Sequence, residues 1–118
     1  MILNYLHMSF TSIQVQSLFS EVTLASNEEV FTTLFEKPGL KIESIASYSQ
    51  VSPDGFWFDQ PHDEWVVLVR GSATLEIAAQ TPLTLRPGDH VILPSHTRHR
   101  VLHTSPDALW LAVHADCR

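Results

Sequence analysis

Cysteine is almost absent from the chain, and glycine and positive charge are scarce. A lone Cys117 has no intramolecular partner, which excludes a disulfide-stapled fold and fits a reducing compartment, so a cytoplasmic location is expected. The 4 glycines are scattered and form no phosphate-cradling loop. Neither a G-x-S-x-G elbow nor a cysteine-based zinc pattern is present, which leaves nucleophilic catalysis without a recognisable signature. Seven basic residues against 13 acidic ones give a formal net charge of -6, which repels a phosphate backbone, so no nucleic-acid partner is expected. No apolar run reaches the length of a membrane span, and no membrane partner is expected. The opening MILNYLHMSF lacks a basic n-region and a small-residue cleavage pattern, so it reads poorly as a signal peptide, and Met8 is an alternative start.

What is present describes one folded domain. At 118 residues the chain is long enough for a single core and too short for two, and 44% apolar with 17% charged residues is a globular balance. Three segments are expected: an N-terminal extension over 1–25, a short helix over 26–39, and a β-barrel over 40–118. The helix rests on Ser26 followed by Glu29 as a capping box, on Val30, Phe31, Leu34 and Phe35 at helical spacing, and on Pro38-Gly39 as a stop. After residue 40 the period changes to two. EWVVLVR (64–70), ATLEIAA (73–79), PLTLR, HVILP, HRVLHT and ALWLAVHA follow one another with turn residues between them, as in a sandwich or barrel.

Two clusters carry the polar chemistry. PSHTRHRVLH places His96, His99 and His103 within ten positions. Pro94 and the β-branched neighbours argue for strand, turn, strand, so that period two sets His99, Val101 and His103 on one face with His96 in the preceding turn. Imidazoles so placed serve either as metal ligands completed from elsewhere or as exposed, hydrogen-bonded side chains. In FWFDQPHDEWVVLVRG, strict alternation aligns Phe58, Gln60, His62, Glu64, Val66 and Leu68. Glu64 heads an apolar run: either it enters the core, where it must be paired, protonated or metal-bound, or Asp63-Glu64 is a solvated strand end.

Together the clusters resemble the cupin family. Glu64, WVVLVR and Gly71 match the end of its first motif. Gly88, DHVIL, Pro94, Ser95, His96, Thr97-Arg98, His99 and His103 fall on the frame of its second motif, and the likeness covers roughly residues 40 to 115. FWFDQPHDEW, HTRHRV and WLAVH are further similar to a subgroup of small single-domain bacterial cupins. The resemblance implies an all-β double-stranded β-helix whose inward-facing residues form the site. It also implies a divalent metal held by two histidines and the Glu of the first motif with the His of the second. Glu64 and His99 carry over, whereas the motif-one histidines fall at Trp57 or Phe58 and at Asp59 or Gln60. His96 stands at the motif-two Gly and His103 at the Asn.

Gln60, His62, Glu64, His99 and His103 are therefore the expected ligands of an atypical zinc, iron, nickel or manganese site. Glu64 and His99 are the expected catalytic pair, and Trp57, Phe58 and His96 the expected pocket residues. The competing arrangement is a metal-free pocket hydrogen-bonded by Gln60, Glu64 and His99. The corresponding functions are a metal-dependent enzyme on a small polar metabolite, of dioxygenase, isomerase or decarboxylase type, or a non-catalytic small-molecule binding or sensing module. Arg98 and Arg100, flanking His99, either meet an anionic substrate or are solvated. The family likeness also implies a homodimer through N-terminal strands and outer sheet faces, which include Val67, Val69 and Leu102.

Overall fold

Alternation of apolar and polar residues builds the sheets. In Asp63–Arg70, Glu64, Val66 and Leu68 are buried while Trp65, Val67 and Val69 are half-buried on the other face. The computed structural model describes residues 12–20 and 28–116. It contains eight strands: β1 (Val30–Lys37), β2 (Leu40–Ala46), β3 (Asp63–Arg70), β4 (Ala73–Ile77), β5 (Leu83–Leu85), β6 (His90–Leu93), β7 (His99–Thr104) and β8 (Leu109–Ala115). They form a five-stranded sheet ordered β1-β2-β8-β3-β6 and a three-stranded sheet ordered β5-β4-β7, with every pairing antiparallel. Among the described residues there is no helix, and hence none able to cross a membrane.

The core lies between the sheets. Val66, Leu68, Trp110 and Ala112 from the larger sheet meet Ala73, Leu75, Ile77 and Leu85 from the smaller one. Burying such side chains contributes about 1.5–3 kcal/mol each for the larger aliphatics, which is what holds two sheets face to face. Gly71 makes the turn between β3 and β4 that carries the chain from one sheet to the other. Its φ is +86°, and a Cβ there would lie 2.4 Å from Ser105 Oγ and 2.8 Å from Ala108 Cα, so no other residue fits without displacement.

The expected helix over 26–39 is not formed. Its described part is strand β1, which turns at Pro38-Gly39 and pairs with β2 from Val30↔Ala46 to Lys37↔Leu40. Val30, Phe31, Thr32, Thr33 and Phe35 favour an extended chain, and pairing with β2 supplies the hydrogen bonds that a short isolated helix lacks. The register shifts between Thr33 and Phe35, leaving Leu34 as an extra residue. Such a bulge moves the alternation by one, so Phe31, Leu34 and Phe35 imitate a helical stripe. Ser26, the capping residue of that expectation, lies outside the described residues, as do 1–11 and Cys117.

A second bulge shapes the site. Along β7, Val101 faces Leu75 and His103 faces Thr74, so Leu102 is unpaired between them. The inward face therefore runs His99, Val101, Thr104 instead of continuing to His103. Thr104 is buried and donates its Oγ1 hydrogen to the Gln50 carbonyl at 2.6 Å.

Candidate functional site

A cavity of about 200 Å³ opens between the sheets beside the core. Val66, Leu75, Leu93, Val101 and Trp110 close it on the core side, and Phe31, Phe56 and Phe58 wall the rest. Its polar lining is Glu29, Glu43, Gln50, Ser52, Gln60, Glu64, His99 and His114. No lysine or arginine lines it among the described residues.

Glu64 enters from β3, and His99 enters from β7 in the opposite sheet. The His99 backbone is fixed by a reciprocal pair with Phe58, His99 N to Phe58 O at 3.1 Å and Phe58 N to His99 O at 2.7 Å. Its ring stacks on Phe58 with centroids 5.3 Å apart and planes 20° apart. His99 Nδ1 lies 2.9 Å from the Thr97 carbonyl. A carbonyl only accepts, so Nδ1 carries a proton and Nε2 is the ring atom turned toward Glu64. The gap from Nε2 to Glu64 Oε1 is 4.0 Å, too long for a hydrogen bond and short enough for a ligand atom to meet both groups.

The Glu64 side chain is only 10% exposed, and among the described residues no donor lies within hydrogen-bonding reach of it. Burial pushes its carboxyl above the ordinary value of 4.5. His114, His99 and His62 oppose that rise when charged, and Glu43 reinforces it.

Beside this pair runs a hydrogen-bonded chain formed where three strands lie in register, with Lys41 and Glu64 both opposite His114. His62 Nε2 lies 2.9 Å from His114 Nδ1, and His114 Nε2 lies 2.8 Å from Glu43 Oε2. A carboxylate only accepts, so His114 Nε2 donates to Glu43, and a second hydrogen bond joins His114 Nδ1 to His62 Nε2. Lys41 Nζ lies 3.6 Å from the other Glu43 oxygen. Glu43, Gln60 and His114 line both the cavity and a broad outer groove, whereas His62 lines the groove alone. The chain thus crosses the wall between the two and is geometrically able to hand a proton along it.

The expected residues divide. Glu64, His99, Gln60 and Phe58 line the cavity. His62 stands in the outer groove, joined to the site through His114. His103 is exposed because the Leu102 bulge turns it outward, a correction to its expected place among the ligands. His96 is also exposed and off the cavity; its Nδ1 lies 2.7 Å from Asp59 Oδ1, and its φ of +60° reproduces the left-handed backbone of a glycine position. Trp57 lies off the cavity, under Arg98 at 4.9 Å and Arg100 at 5.7 Å. Arg100 also faces Glu76 at 3.9 Å, and neither arginine reaches the cavity.

Glu43, His114, Glu29 and Phe56 escaped sequence reasoning. Trp110, Ala112 and His114 alternate along β8 as a core-facing stripe ending in a polar residue, the same signal that marks Glu64 on β3.

The donor set does not fit the family's metal shell. A carbon ring, Phe58, occupies one histidine position and packs on His99. Both ring nitrogens of His114 and the Nε2 of His62 are taken by hydrogen bonds, and His103 points away. Among the described residues, no group of three histidine, cysteine, aspartate or glutamate side chains is disposed around one point to hold a metal ion.

Two antiparallel sheets packed face to face define a double-stranded β-helix. No protein-family model matches the chain, and no curated protein does. Solved structures do. A candidate mannose-6-phosphate isomerase from Ralstonia eutropha JMP134 is 45% identical, with a TM-score of 0.85 over 89% of this chain and 100% of that one. An RmlC-like cupin from Desulfovibrio desulfuricans is 18% identical, with a TM-score of 0.71 over 88% and 97% of the two chains. KdgF from Halomonas is 22% identical, with a TM-score of 0.66 over 80% and 85%. The chain belongs to the cupin family.

Proposed function

We propose that this cupin binds a small metabolite between Glu64 and His99 and moves a proton on it without a resident metal, as an isomerase or decarboxylase does. The observation that carries the reading is the buried Glu64 carboxyl, without a hydrogen bond, facing the free Nε2 of His99 across 4.0 Å. A catalytic pair needs groups whose protonated and deprotonated forms are both accessible near neutral pH. Burial raises the Glu64 carboxyl in that direction. One ligand atom loses a proton to whichever of the pair is unprotonated while a second ligand atom gains one from the protonated partner; the two groups end with their protons exchanged, and exchange with solvent restores the starting state. Thr97 sets the His99 tautomer, and Phe58 holds the ring. The isomerase designation of the 45% identical Ralstonia protein agrees in reaction type.

The test is exchange with solvent. A metabolite extract incubated with the protein in D2O is expected to gain deuterium at a carbon-bound position of at least one compound. Neither Glu64→Gln nor His99→Ala should support that gain. If wild type and variants are indistinguishable while a ligand still raises the melting temperature, the protein is a binding module and not an enzyme.

We further propose a homodimer. Strand β1 is a sheet edge, and Phe31, Leu34 and Phe35 on it are 57%, 43% and 51% exposed. An apolar edge of this kind is ordinarily covered. Light scattering is expected to give twice the monomer mass, and a monomer would exclude the pairing.

A further inference from the structure

The cavity's composition selects the charge of what enters it. Its only formally charged side chains, histidines aside, are Glu29, Glu43 and Glu64. Two of the three are already engaged: Glu29 accepts from Ser47 Oγ at 2.8 Å, and Glu43 is held by His114 and Lys41. Glu64 lines the cavity nine-tenths buried, accepts no hydrogen bond from a described residue, and faces His99 Nε2 across 4.0 Å. A buried carboxylate without a partner is costly, and a positive group placed beside it removes that cost.

The rest of the wall points the same way. Phe31, Phe56, Phe58 and Trp110 surround the space, and Phe56 meets Phe58 edge-on at 4.8 Å. Aromatic faces attract an organic cation, whose apolar substituents they also cover. A phosphate ester would find three carboxylates and neither lysine nor arginine.

We infer that the ligand of this cavity is a small organic cation, an ammonium or comparable centre carried on a compact apolar body, with Glu64 as its counter-ion. This rests on the reading of the cavity as the ligand site, and it narrows that reading to one chemical class. It also separates this chain from the sugar phosphate in the designation of its Ralstonia relative.

The probes are choline, its uncharged isostere 3,3-dimethylbutan-1-ol, and mannose 6-phosphate, each titrated calorimetrically into the full chain. Choline is expected to bind at least tenfold more tightly than the isostere, and mannose 6-phosphate not at all. Glu64→Gln, which keeps the shape and removes the charge, is expected to bring choline down to the isostere's affinity. His103→Ala, away from the cavity, is the control and should leave all three unchanged. Equal binding of choline and the isostere, preferential binding of mannose 6-phosphate, or undiminished choline binding by a folded Glu64→Gln would each overturn the assignment while leaving a ligand pocket standing. Binding of none of the probes would overturn it too, and deuterium exchange with the metabolite extract would then decide separately whether the cavity takes a ligand.

Discussion

Replacing Glu64 with glutamine should make the protein more stable at pH 8 and leave it nearly unchanged at pH 5. The carboxyl is buried without a hydrogen bond, and burial raises it above 4.5 in the folded chain. In the unfolded chain it is solvated and ionises at its ordinary value. Between those two values the native state holds a proton that the unfolded state has released, so stability declines as pH rises through that window. The slope approaches about 1.4 kcal/mol per pH unit, and the loss stops once the folded carboxyl has also ionised. Glutamine matches the protonated acid in shape and has no such loss. Urea unfolding of both proteins from pH 4.5 to 8 measures the difference; His114, His99 and His62, when charged, favour the ionised carboxylate and narrow the window, and Glu43 widens it. The two curves should meet at the acid end and separate upward in favour of the variant. Parallel curves, or a variant less stable at pH 8 than at pH 5 relative to wild type, would refute the assignment of Glu64 as a desolvated acid.

Three further outcomes are expected. Phe58→His combined with Gln60→His restores histidines at the two vacated ligand positions facing Glu64 and His99, and should bind Zn2+ or Ni2+ at least tenfold more tightly than wild type by competition with a chromogenic chelator. Gly71→Ala forces a methyl to within 2.4 Å of Ser105 Oγ at a φ of +86°, and overpacking plus the left-handed backbone should cost about 2–4 kcal/mol in urea. His103→Ala removes an exposed side chain and should change stability by no more than about 0.5 kcal/mol, with no effect on deuterium exchange.

The second half of the barrel was legible because its signals are local. Alternation in residues 64–70 and 73–77 sets which side chains enter the core, and Gly71, Pro87-Gly88 and Pro106-Asp107 mark turns. Glu64 and His99 were singled out by the cupin resemblance, since alternation alone left a solvated strand end and an exposed histidine equally open. Two of the misplaced expectations, the helix and the inward His103, came from bulges. An extra residue at Leu34 gave a strand the look of a helix, and one at Leu102 turned His103 from the cavity to solvent. Bulges are decided by pairing with a partner strand, which alternation within one segment does not record. Glu43 and His114 escaped for a related reason. They lie 71 residues apart and meet only because β2 and β8 are neighbours in the sheet, so the cavity's second carboxylate and the histidine chain are products of topology.

The account turns on Glu64 and His99 acting directly on a ligand, with Phe58 and Gln60 standing where metal-binding histidines would be. Elemental analysis of untagged protein purified without chelator, beside His99→Ala, tests this most directly. Metal well below one ion per chain, equal in the two proteins, with no rise in melting temperature on adding Zn2+, Mn2+, Ni2+ or Fe2+, is the predicted result. One ion per wild-type chain, lost in His99→Ala, would contradict it and return the site to metal chemistry.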